Sequence, residues 1–279
     1  MAKHLLIIAY AFPPNSAVGS MRPLRVTKSL AGRGSWRTTV ISVRREARRR
    51  DDDLLQEVPP GTEIHRVRTF EPLRLLEQRR AATAPPASGN GTPGTVASTP
   101  PPAQGGLRAW IRDFLSTPDT EWFWVLPVVL RAVRLHLQQP FDAVMVTSPP
   151  WSAQFAGRAL ASLLRIPWIA DYRDPWADID RGHRTATFEN WNRKLEDAVL
   201  PHASAVVSTS ATYSRLLRQR FADLDPGRFV TIHNGFDETK IQPRSLPGHR
   251  RLTIVHLGTI YEIWHPWSFF TVLSDWLDR

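Results

Sequence analysis

The sequence of 279 residues contains no cysteine. This absence excludes a disulfide framework and any reaction that needs a thiol, and it fits a reducing compartment. Long hydrophobic runs are missing as well, since no segment approaches the ~20 apolar residues that a membrane-spanning helix requires. The apolar run 5–9 is followed by no small-residue cleavage site, so it does not resemble a signal peptide. We therefore expect a cytoplasmic protein that is soluble or attached to a membrane surface.

The motifs of several enzyme and binding classes are also absent. No two histidines have metal-ligand spacing, and no GxSxG, HExxH or EF-hand pattern occurs. Helix-turn-helix, RRM and zinc-finger patterns do not occur either. We therefore expect no metal ion, no bound cofactor and no nucleic-acid partner.

Acidic residues are few compared with basic ones. The chain has 26 Asp and Glu against 36 Lys and Arg, which gives a formal net charge of +10. Part of this excess lies in the run 44–50, which contains five arginines. A basic face attracts nucleic acid, anionic lipid or phosphorylated substrates, although arginine-rich surfaces are also common in proteomes that use much arginine.

Short apolar runs alternate with amphipathic segments along most of the chain. AVMVT at 143–147 and WIA at 168–170 are fully apolar, as strands buried in a parallel sheet are. The alternation predicts an α/β fold with a doubly wound, Rossmann-like parallel sheet. Strands are predicted at 4–12, 37–43, 61–69, 143–147, 168–170, 203–210, 228–237 and 251–262. Helices are predicted at 20–31, 125–138, 189–200, 211–221 and 268–277, with another between Ser152 and Pro167, and Ser20 and Ser152 are the expected N-caps.

Two consecutive segments in the middle of the chain differ from this pattern. Segment 81–106 has no charged and no aromatic residue, which predicts a disordered insertion within the first domain. Segment 107–115 places apolar side chains on one helical face, with Arg108 and Arg112 opposite. Packing against the core is one interpretation of this face, and shallow contact with an anionic membrane is the other.

The strongest candidates for chemistry follow the predicted strand 168–170. Asp171, Arg173 and Asp174 place three charges within four residues directly after an apolar run. Ligands of open α/β sheets bind at the carboxyl ends of strands. An arginine fork can hold a phosphate or carboxylate, and the aspartates can orient it or bind sugar hydroxyls. The alternative is a local Asp–Arg salt bridge, with Trp176 as a packing residue.

Three further loops follow apolar runs. In loop 13–20, backbone amides at a helix start and one glycine favour contact with phosphate or sugar oxygens, but the loop is neither a dinucleotide fingerprint nor a P-loop. The other two are the Asn-Gly pair at 234–235, which is equally a simple turn signal, and the stretch 258–261. The residues predicted to bind substrate lie in these three loops and in the helix that follows loop 13–20. They are Asn15, Gly19, Ser20, Arg22, Asn234, Gly235, Gly258 and Tyr261.

Taken in order, these motifs resemble family 4 glycosyltransferases of the GT-B fold. The main matches are F-P-P at 12–14, Gly19, R-P at 22–23 and D-x-R-D-P-W at 171–176. Further matches are T-P-D at 117–119, Trp124, F-D at 141–142, S-P-P at 148–150, the helix with Glu196, N-G-F-D at 234–237 and H-L-G-T at 256–259. Their order and spacing agree over nearly the whole chain, which is more specific than any single motif.

The resemblance implies an acceptor-binding domain followed by a domain that binds a nucleotide-sugar donor. It implies transfer with retention of the anomeric configuration and without a metal, with Gly19 facing the transferred sugar. Asp171, Arg173 and Asp174 fall where many relatives place a His-Asp pair at the catalytic cleft, and they are the predicted catalytic residues. The histidine is absent here, so a histidine-based role does not carry over.

The resemblance also suggests a domain division. Residues 1–245 are expected to form the acceptor-binding domain and 246–279 the beginning of an incomplete donor-binding domain, since no E-x7-E pair follows Tyr261. One interpretation is a glycosyltransferase of bacterial surface polysaccharide synthesis, which uses a nucleotide-sugar and a glycan or lipid-linked acceptor at the inner face of the plasma membrane. The other is a non-catalytic remnant that binds acceptor or acts as a scaffold.

Overall fold

The computed structural model describes residues 2–44, 50–69, 110, 114, 117–177, 186–236, 254–256 and 266–277. Its strands are β1 (Lys3–Ala9), β2 (Trp36–Val43), β3 (Glu63–Val67), β4 (Ala143–Ser148), β5 (Trp168–Tyr172), β6 (Ala205–Ser208) and β7 (Phe229–Thr231). Its α-helices are α1 (Val18–Gly32), α2 (Asp53–Gln56), α3 (Val125–Gln138), α4 (Ala153–Leu164), α5 (Ala186–Val199), α6 (Ala211–Arg220) and α7 (Trp267–Leu277).

The seven strands form one parallel sheet in the order β3-β2-β1-β4-β5-β6-β7. β1 lies at the centre, where Leu6 pairs with Thr39 of β2 on one side and with Val144 of β4 on the other. Leu6 and Ile8 belong to the core on the face covered by α3 and α4, whereas Leu5 and Ile7 belong to the core that contains Leu24 of α1. A strand that is buried on both faces needs an apolar residue at every position, and this explains the continuous run in the sequence.

The direction of winding reverses between β1 and β4. From β1 the chain continues outward to β2 and β3, and from β4 it continues in the other direction to β5, β6 and β7. The loops after β1 and β4 therefore lead to helices on opposite faces of the sheet. Such a reversal leaves a crevice at the carboxyl edge of the sheet, which we call the switch-point crevice.

The predicted α/β class with a doubly wound parallel sheet is confirmed. Each of the first seven predicted strands overlaps an observed strand, and the six predicted helices overlap α1 and α3 to α7. The single-turn helix α2 was not predicted. Segment 81–106 and most of 107–115 lie outside the described residues. Of 107–115, Trp110 and Phe114 are described as helical, with their rings stacked 5.3 Å apart and Phe114 5.1 Å from the ring of Trp191.

Both predicted N-caps are wrong in their chemistry. Helix α1 begins at Val18 after the extended residue Ala17, and Ser20 lies fully buried within the first turn, where its N–H donates to Ala17 O at 2.8 Å. Ser152 does precede α4, but its hydroxyl makes no cap hydrogen bond and donates instead to Asp119. Tertiary contacts, rather than the capping preference of these serines, therefore determine where the two helices begin.

The structure differs from two predicted strands near the carboxyl end at the residues it describes. β7 ends at Thr231, so His233 is an exposed loop residue rather than a core residue. Of the predicted strand 251–262, the described residues 254–256 adopt no strand, and the rest lies outside the described residues. Among the described strands β7 pairs with β6 alone, which favours a short strand at the sheet edge.

Contacts divide the chain into two units, Met1–Gly235 and Phe236–Arg279. The first contains the sheet and its helices. The second contains α7, which carries the exposed apolar side chains Trp267, Phe269, Phe270 and Trp276. The predicted boundary at 245 stays a prediction. Within the described ranges, no helix is long and apolar enough to cross a membrane.

Gly157 in α4 provides a test of the packing between this helix and the sheet. A Cβ at Gly157 would lie 2.5 Å from Cε2 of the completely buried Trp168 in β5. Gly157→Ala should therefore lower the free energy of unfolding by ~1–3 kcal/mol, although alanine is the better helix former. Urea unfolding measures this change.

Gly32→Ala is the matched control for this substitution. Gly32 lies at the end of α1, where an added Cβ meets no heavy atom within 4 Å. This variant should be neutral or gain up to ~1 kcal/mol. Equal effects of the two substitutions would contradict the proposed packing.

Candidate functional site

Four of the loops at the carboxyl edge of the sheet carry or adjoin the predicted site residues of the first unit. They follow β1, β4, β5 and β7, and they contain residues 10–17, 149–152, 173–177 and 232–235. Because the strands are parallel, their carboxyl ends share one edge, and the predicted site residues up to Gly235 gather there. Gly258 and Tyr261, which were predicted to bind substrate, lie outside the described residues.

A buried ion pair joins α1 to β5. Nε of Arg22 donates to both carboxylate oxygens of Asp171, at 2.9 and 3.0 Å, and its Nη2 donates to Oδ1 at 2.8 Å. Asp171 is completely buried and Arg22 is 7% exposed. Both Asp171 oxygens are thus occupied, so the described geometry is that of a carboxylate that positions Arg22. A catalytic role for Asp171 stays a prediction.

The remaining nitrogen of Arg22 reaches the loop after β7. Its Nη1 donates to the backbone oxygens of Ile232 and His233, at 2.9 and 3.3 Å, and to Oδ1 of Asn234 at 3.4 Å. Arg25, one helical turn later, donates to the carbonyl of Gly235. Asn234 and Gly235 therefore contact arginines of α1, and their predicted role in substrate binding stays a prediction.

Arg173 lies across the switch-point crevice. Its Nε donates to the carbonyl of Ser148 at 3.2 Å, at the end of β4, and its Nη2 donates to the carbonyl of Pro149 at 2.5 Å, in the loop that follows. Its own carbonyl accepts a hydrogen bond from Thr209 Oγ1 at 2.8 Å. Within the described part of the chain, this guanidinium has no carboxylate in an ion pair. It is a partly buried cation that is held by backbone oxygens.

The electrostatics of Arg173 reflect this placement. Burial lowers the pKa of the guanidinium below its ordinary value, and Arg22 lowers it further, whereas the nearby charges of Asp174 and Asp171 raise it. Desolvation is the largest of these effects, which means that the cation is incompletely compensated by its surroundings. Such a group binds an anion favourably.

Gly19 gives Arg173 its space on the opposite side of the crevice. A Cβ at Gly19 would lie 2.5 Å from Nη1 of Arg173 and 3.2 Å from its Cζ. The guanidinium therefore lies directly against the backbone at the start of α1. Gly19, which was predicted to bind substrate, leaves the space beside α1 that the guanidinium of Arg173 occupies.

The other predicted residues have different surroundings. Asp174 is exposed, while Trp176 two residues later is buried and donates through Nε1 to Asn192 Oδ1 at 3.1 Å. Asn15 Oδ1 accepts from Ala17 N at 2.9 Å and thereby shapes the loop after β1. Ser20 is fully buried, so its side chain faces the interior. Asp174 is thus the predicted catalytic carboxylate that solvent reaches most freely.

Asp119 is a further important residue of this edge. In the sequence it stands out only as part of a motif that matches the family resemblance. It is 9% exposed and accepts from Ser152 N at 2.8 Å and from Ser152 Oγ at 2.6 Å. Burial raises the pKa of this carboxyl group, although the hydrogen bonds from Ser152 act to lower it. Asp119 thereby anchors the loop whose carbonyls hold Arg173. The sequence signal that could have identified Asp119 is a carboxylate close to a cluster of tryptophans.

Arg66 of β3 has a comparable role in the loop after β1. It donates to the carbonyls of Phe12 and Pro13 and to the hydroxyl of Ser42, and burial lowers the pKa of its guanidinium. Each of the two Pro-Pro loops that flank the crevice is therefore held by an arginine through its backbone oxygens. A single arginine in a short strand is a weak sequence signal, so the reading of the sequence missed this contact.

The chemistry available at this edge is that of cations and hydrogen-bond donors. No group of three His, Cys, Asp or Glu side chains that could hold a metal ion occurs among the residues that the structure describes. Arg173 can donate charge-assisted hydrogen bonds to an anionic oxygen. The exposed Asp174 can accept hydrogen bonds from hydroxyl groups.

A double-mutant cycle tests the contact between Gly19 and Arg173. Gly19→Ala should destabilise the protein by ~1–3 kcal/mol, because the new methyl group displaces the guanidinium. In the Arg173→Ala background the space is empty, so the same substitution should have little effect. Urea unfolding of the four proteins gives the coupling. An equal cost of Gly19→Ala in both backgrounds would show that Arg173 does not occupy this space.

The buried pair of Arg22 and Asp171 gives a second test of the edge. Arg22→Met and Asp171→Leu should each destabilise by ~3–5 kcal/mol, because each leaves one buried charge without its partner. The double variant should be no less stable than either single variant. The exposed pair Arg50 and Asp52 is the control, since alanine substitutions there should change stability little. Additive losses at Arg22 and Asp171 would contradict a shared ion pair.

Comparison with known proteins agrees with this architecture. The model of Glycosyltransferase Family 4 matches residues 94–240, just over half of the chain. No curated protein sequence matches the chain significantly. The chain is similar to the structure of sucrose-phosphate synthase from Thermosynechococcus elongatus, with 14% identity and a TM-score of 0.53 over 87% of this chain and 50% of that one.

A second similar structure is that of UGT2 from Phytolacca americana complexed with UDP-2fluoro-glucose and pterostilbene. It has 10% identity and a TM-score of 0.50, over 82% of this chain and 53% of that one. The chain thus spans about half the length of these proteins. At identities this low, the similarity to these structures shows the fold alone. It agrees with the predicted GT-B type of α/β fold. With the family match added, the chain belongs to Glycosyltransferase Family 4.

Proposed function

We propose that the chain is a glycosyltransferase that moves a sugar from a nucleotide-sugar donor to a glycan or lipid-linked acceptor, and that residues 1–245 bind the acceptor. Membership of the family supports sugar transfer. The similar UGT2 structure contains UDP-2fluoro-glucose, which supports a nucleotide-sugar as the donor here. The site of this transfer is the switch-point crevice, where the loops after β1 and β4 diverge.

The observation that carries this proposal is the placement of Arg173. Its guanidinium is fixed by the carbonyls of Ser148 and Pro149 and lies against Gly19, without a carboxylate partner in the described residues. A fixed, partly desolvated cation stabilises an anionic oxygen more strongly than a mobile surface arginine does, because it needs no reorganisation. We assign it to a phosphate or carboxylate group of donor or acceptor.

The remaining roles follow from burial. Asp171 acts through Arg22, because both of its oxygens are occupied by that arginine. Asp174 is exposed and is the carboxylate that contacts sugar hydroxyls. Gly258 and Tyr261 keep their proposed role in substrate binding. Transfer proceeds with retention and without a metal, as the family resemblance implies.

The biological setting is part of the same proposal. We place the reaction in the synthesis of bacterial surface polysaccharide or glycolipid, at the inner face of the plasma membrane. The net charge of +10 supports phosphorylated or lipid-linked partners. The alternative is a chain that binds acceptor or acts as a scaffold without transfer. Unlike a transferase, such a chain would have no affinity for nucleotides.

Arg173→Ala tests the proposed role of the guanidinium. Nucleotide release from UDP-sugars and GDP-sugars should fall by ~100-fold or more, since a fixed electrostatic contact is lost. Arg158→Ala is the control, because Arg158 of α4 also donates to a backbone carbonyl, that of Ala198 at 2.7 Å. Both variants should melt within ~2–4 °C of the parent protein, since each loses contacts worth ~1 kcal/mol.

Three results would count against this assignment. Retained nucleotide release in Arg173→Ala would exclude the role of Arg173. A large fall of the melting temperature in Arg173→Ala alone would show that the residue is structural. If calorimetry detects no binding of UDP, GDP or their sugars at millimolar concentration, the chain by itself does not transfer sugar and the scaffold alternative holds.

A further inference from the structure

Helix α3 has two apolar faces, of which the core uses only one. The inward face carries Val128, Val129, Ala132 and Leu135, all of them buried. On the outward face Leu126, Leu130 and Leu137 are 65%, 62% and 80% exposed. An isolated exposed leucine is ordinary, but three on the same face of one helix form a patch that requires an explanation.

These leucines are aligned along the helix. Leu126, Leu130, the half-buried Val133 and Leu137 are spaced by four, three and four residues, which puts them in one row. The row is ~16 Å long at 1.5 Å per residue. It is too short to cross a bilayer, which needs ~30 Å, and its length suits a helix that lies on a surface.

Two aromatic residues extend the row at its amino end. Trp122 and Phe123, in the 3-10 turn Trp122–Trp124 that leads into α3, are 40% and 38% exposed. Trp122 also contacts Phe155 in the first turn of α4, with ring centroids 4.9 Å apart. The neighbouring Trp124 is completely buried and anchors the turn. We call the side chains of Trp122, Phe123, Leu126, Leu130, Val133 and Leu137 the α3 face.

The charged side chains within α3 and α4 have a single sign, whereas Glu121 lies just before the face at Trp122. Neither α3 nor α4 contains an aspartate or glutamate, and their charged residues are arginines. Arg134 is exposed between Leu130 and Leu137, and Arg165 follows α4 as an exposed residue. Arg131 donates to His65 Nδ1 at 2.8 Å, so it is partly tied to β3.

Apolar and aromatic side chains on and beside a helix that carries arginines and no carboxylate match the boundary of an anionic bilayer. Leucine and aromatic rings enter the acyl region, and arginine binds lipid phosphate. A second copy of the chain fits less well, because two α3 faces would bring Arg134 close to its own equivalent with no carboxylate on the helix to compensate it. We propose that the α3 face binds the surface of anionic lipid membranes.

The position of α3 relates this face to the crevice. The helix returns the chain to the start of β4, so it runs antiparallel to the strands and begins at their carboxyl edge. Trp122 and Phe123 are therefore on the same edge of the sheet as Arg173. If the proposed function holds, bound lipid would lie beside the loops that receive a lipid-linked acceptor; the membrane contact itself does not depend on sugar transfer.

Flotation with vesicles tests the α3 face without donor or acceptor. The full chain should float with vesicles of phosphatidylcholine and phosphatidylglycerol, and much less with phosphatidylcholine alone. The triple variant Leu126→Gln, Leu130→Gln, Leu137→Gln should reduce the bound-to-free ratio by ~10-fold or more, because it removes most of the apolar contact. Arg134→Glu should reduce binding to the anionic vesicles only.

Leu216→Gln is the matched control, since Leu216 is an exposed leucine of α6, 45% exposed, outside the α3 face. It should float like the parent chain. The variants replace exposed side chains, and urea unfolding checks that each remains folded. A Trp110→Ala, Phe114→Ala variant distinguishes the α3 face from segment 107–115, the earlier candidate for membrane contact, and should retain flotation.

Each other outcome overturns the proposal. Absence of flotation of the parent chain with anionic vesicles would exclude a lipid surface. Flotation of the triple variant like the parent chain would place the contact elsewhere. A parent chain that sediments as a dimer, with a monomeric triple variant, would show that a second copy covers the α3 face. Nucleotide release, measured separately, decides the proposed function independently of these results.

Discussion

The buried ion pair between Arg22 and Asp171 is the interaction on which the rest of the carboxyl edge depends. It joins a helix on one face of the sheet to a strand beyond the point where the winding reverses, and it extends to the loop after β7. Two charges that leave water together are stable only when their hydrogen bonds are satisfied, and here every nitrogen of Arg22 has a partner. The pair therefore fixes α1, β5 and the end of the first unit as one assembly, against which Arg173 takes its position.

The sequence predicted the sheet well, because its strands are buried on both faces and leave continuous apolar runs. AVMVT at 143–147 admits few alternatives to a central strand. The helix starts were predicted less well. Ser20 and Ser152 carry the right side chains for capping, but Ser20 is buried within the first turn of α1 and the hydroxyl of Ser152 donates to Asp119. Capping preference is worth ~1 kcal/mol, and burial against the sheet outweighs it.

The site was predicted in part. D-x-R-D-P-W located the cluster, because charges directly after an apolar strand must reach the sheet edge. The pattern could not tell which of these charges is buried, since Asp171 pairs with Arg22, which is far away in sequence, whereas Asp174 is exposed. Arg66 was not found, and Asp119 was named only within the family resemblance, because both residues contact loops that are brought close only by folding.

The contact between Gly19 and Arg173 also has an evolutionary consequence. Any side chain at position 19 would enter the volume that the guanidinium fills. With a shorter residue at 173 that volume would be empty, and no steric contact would then favour glycine at position 19. Substitutions at the two positions are therefore expected to occur together in homologues. A relative with a histidine in place of Arg173 has room beside the loop after β1. Larger residues in that loop are therefore expected in such a relative, and they indicate which side chain occupies the crevice.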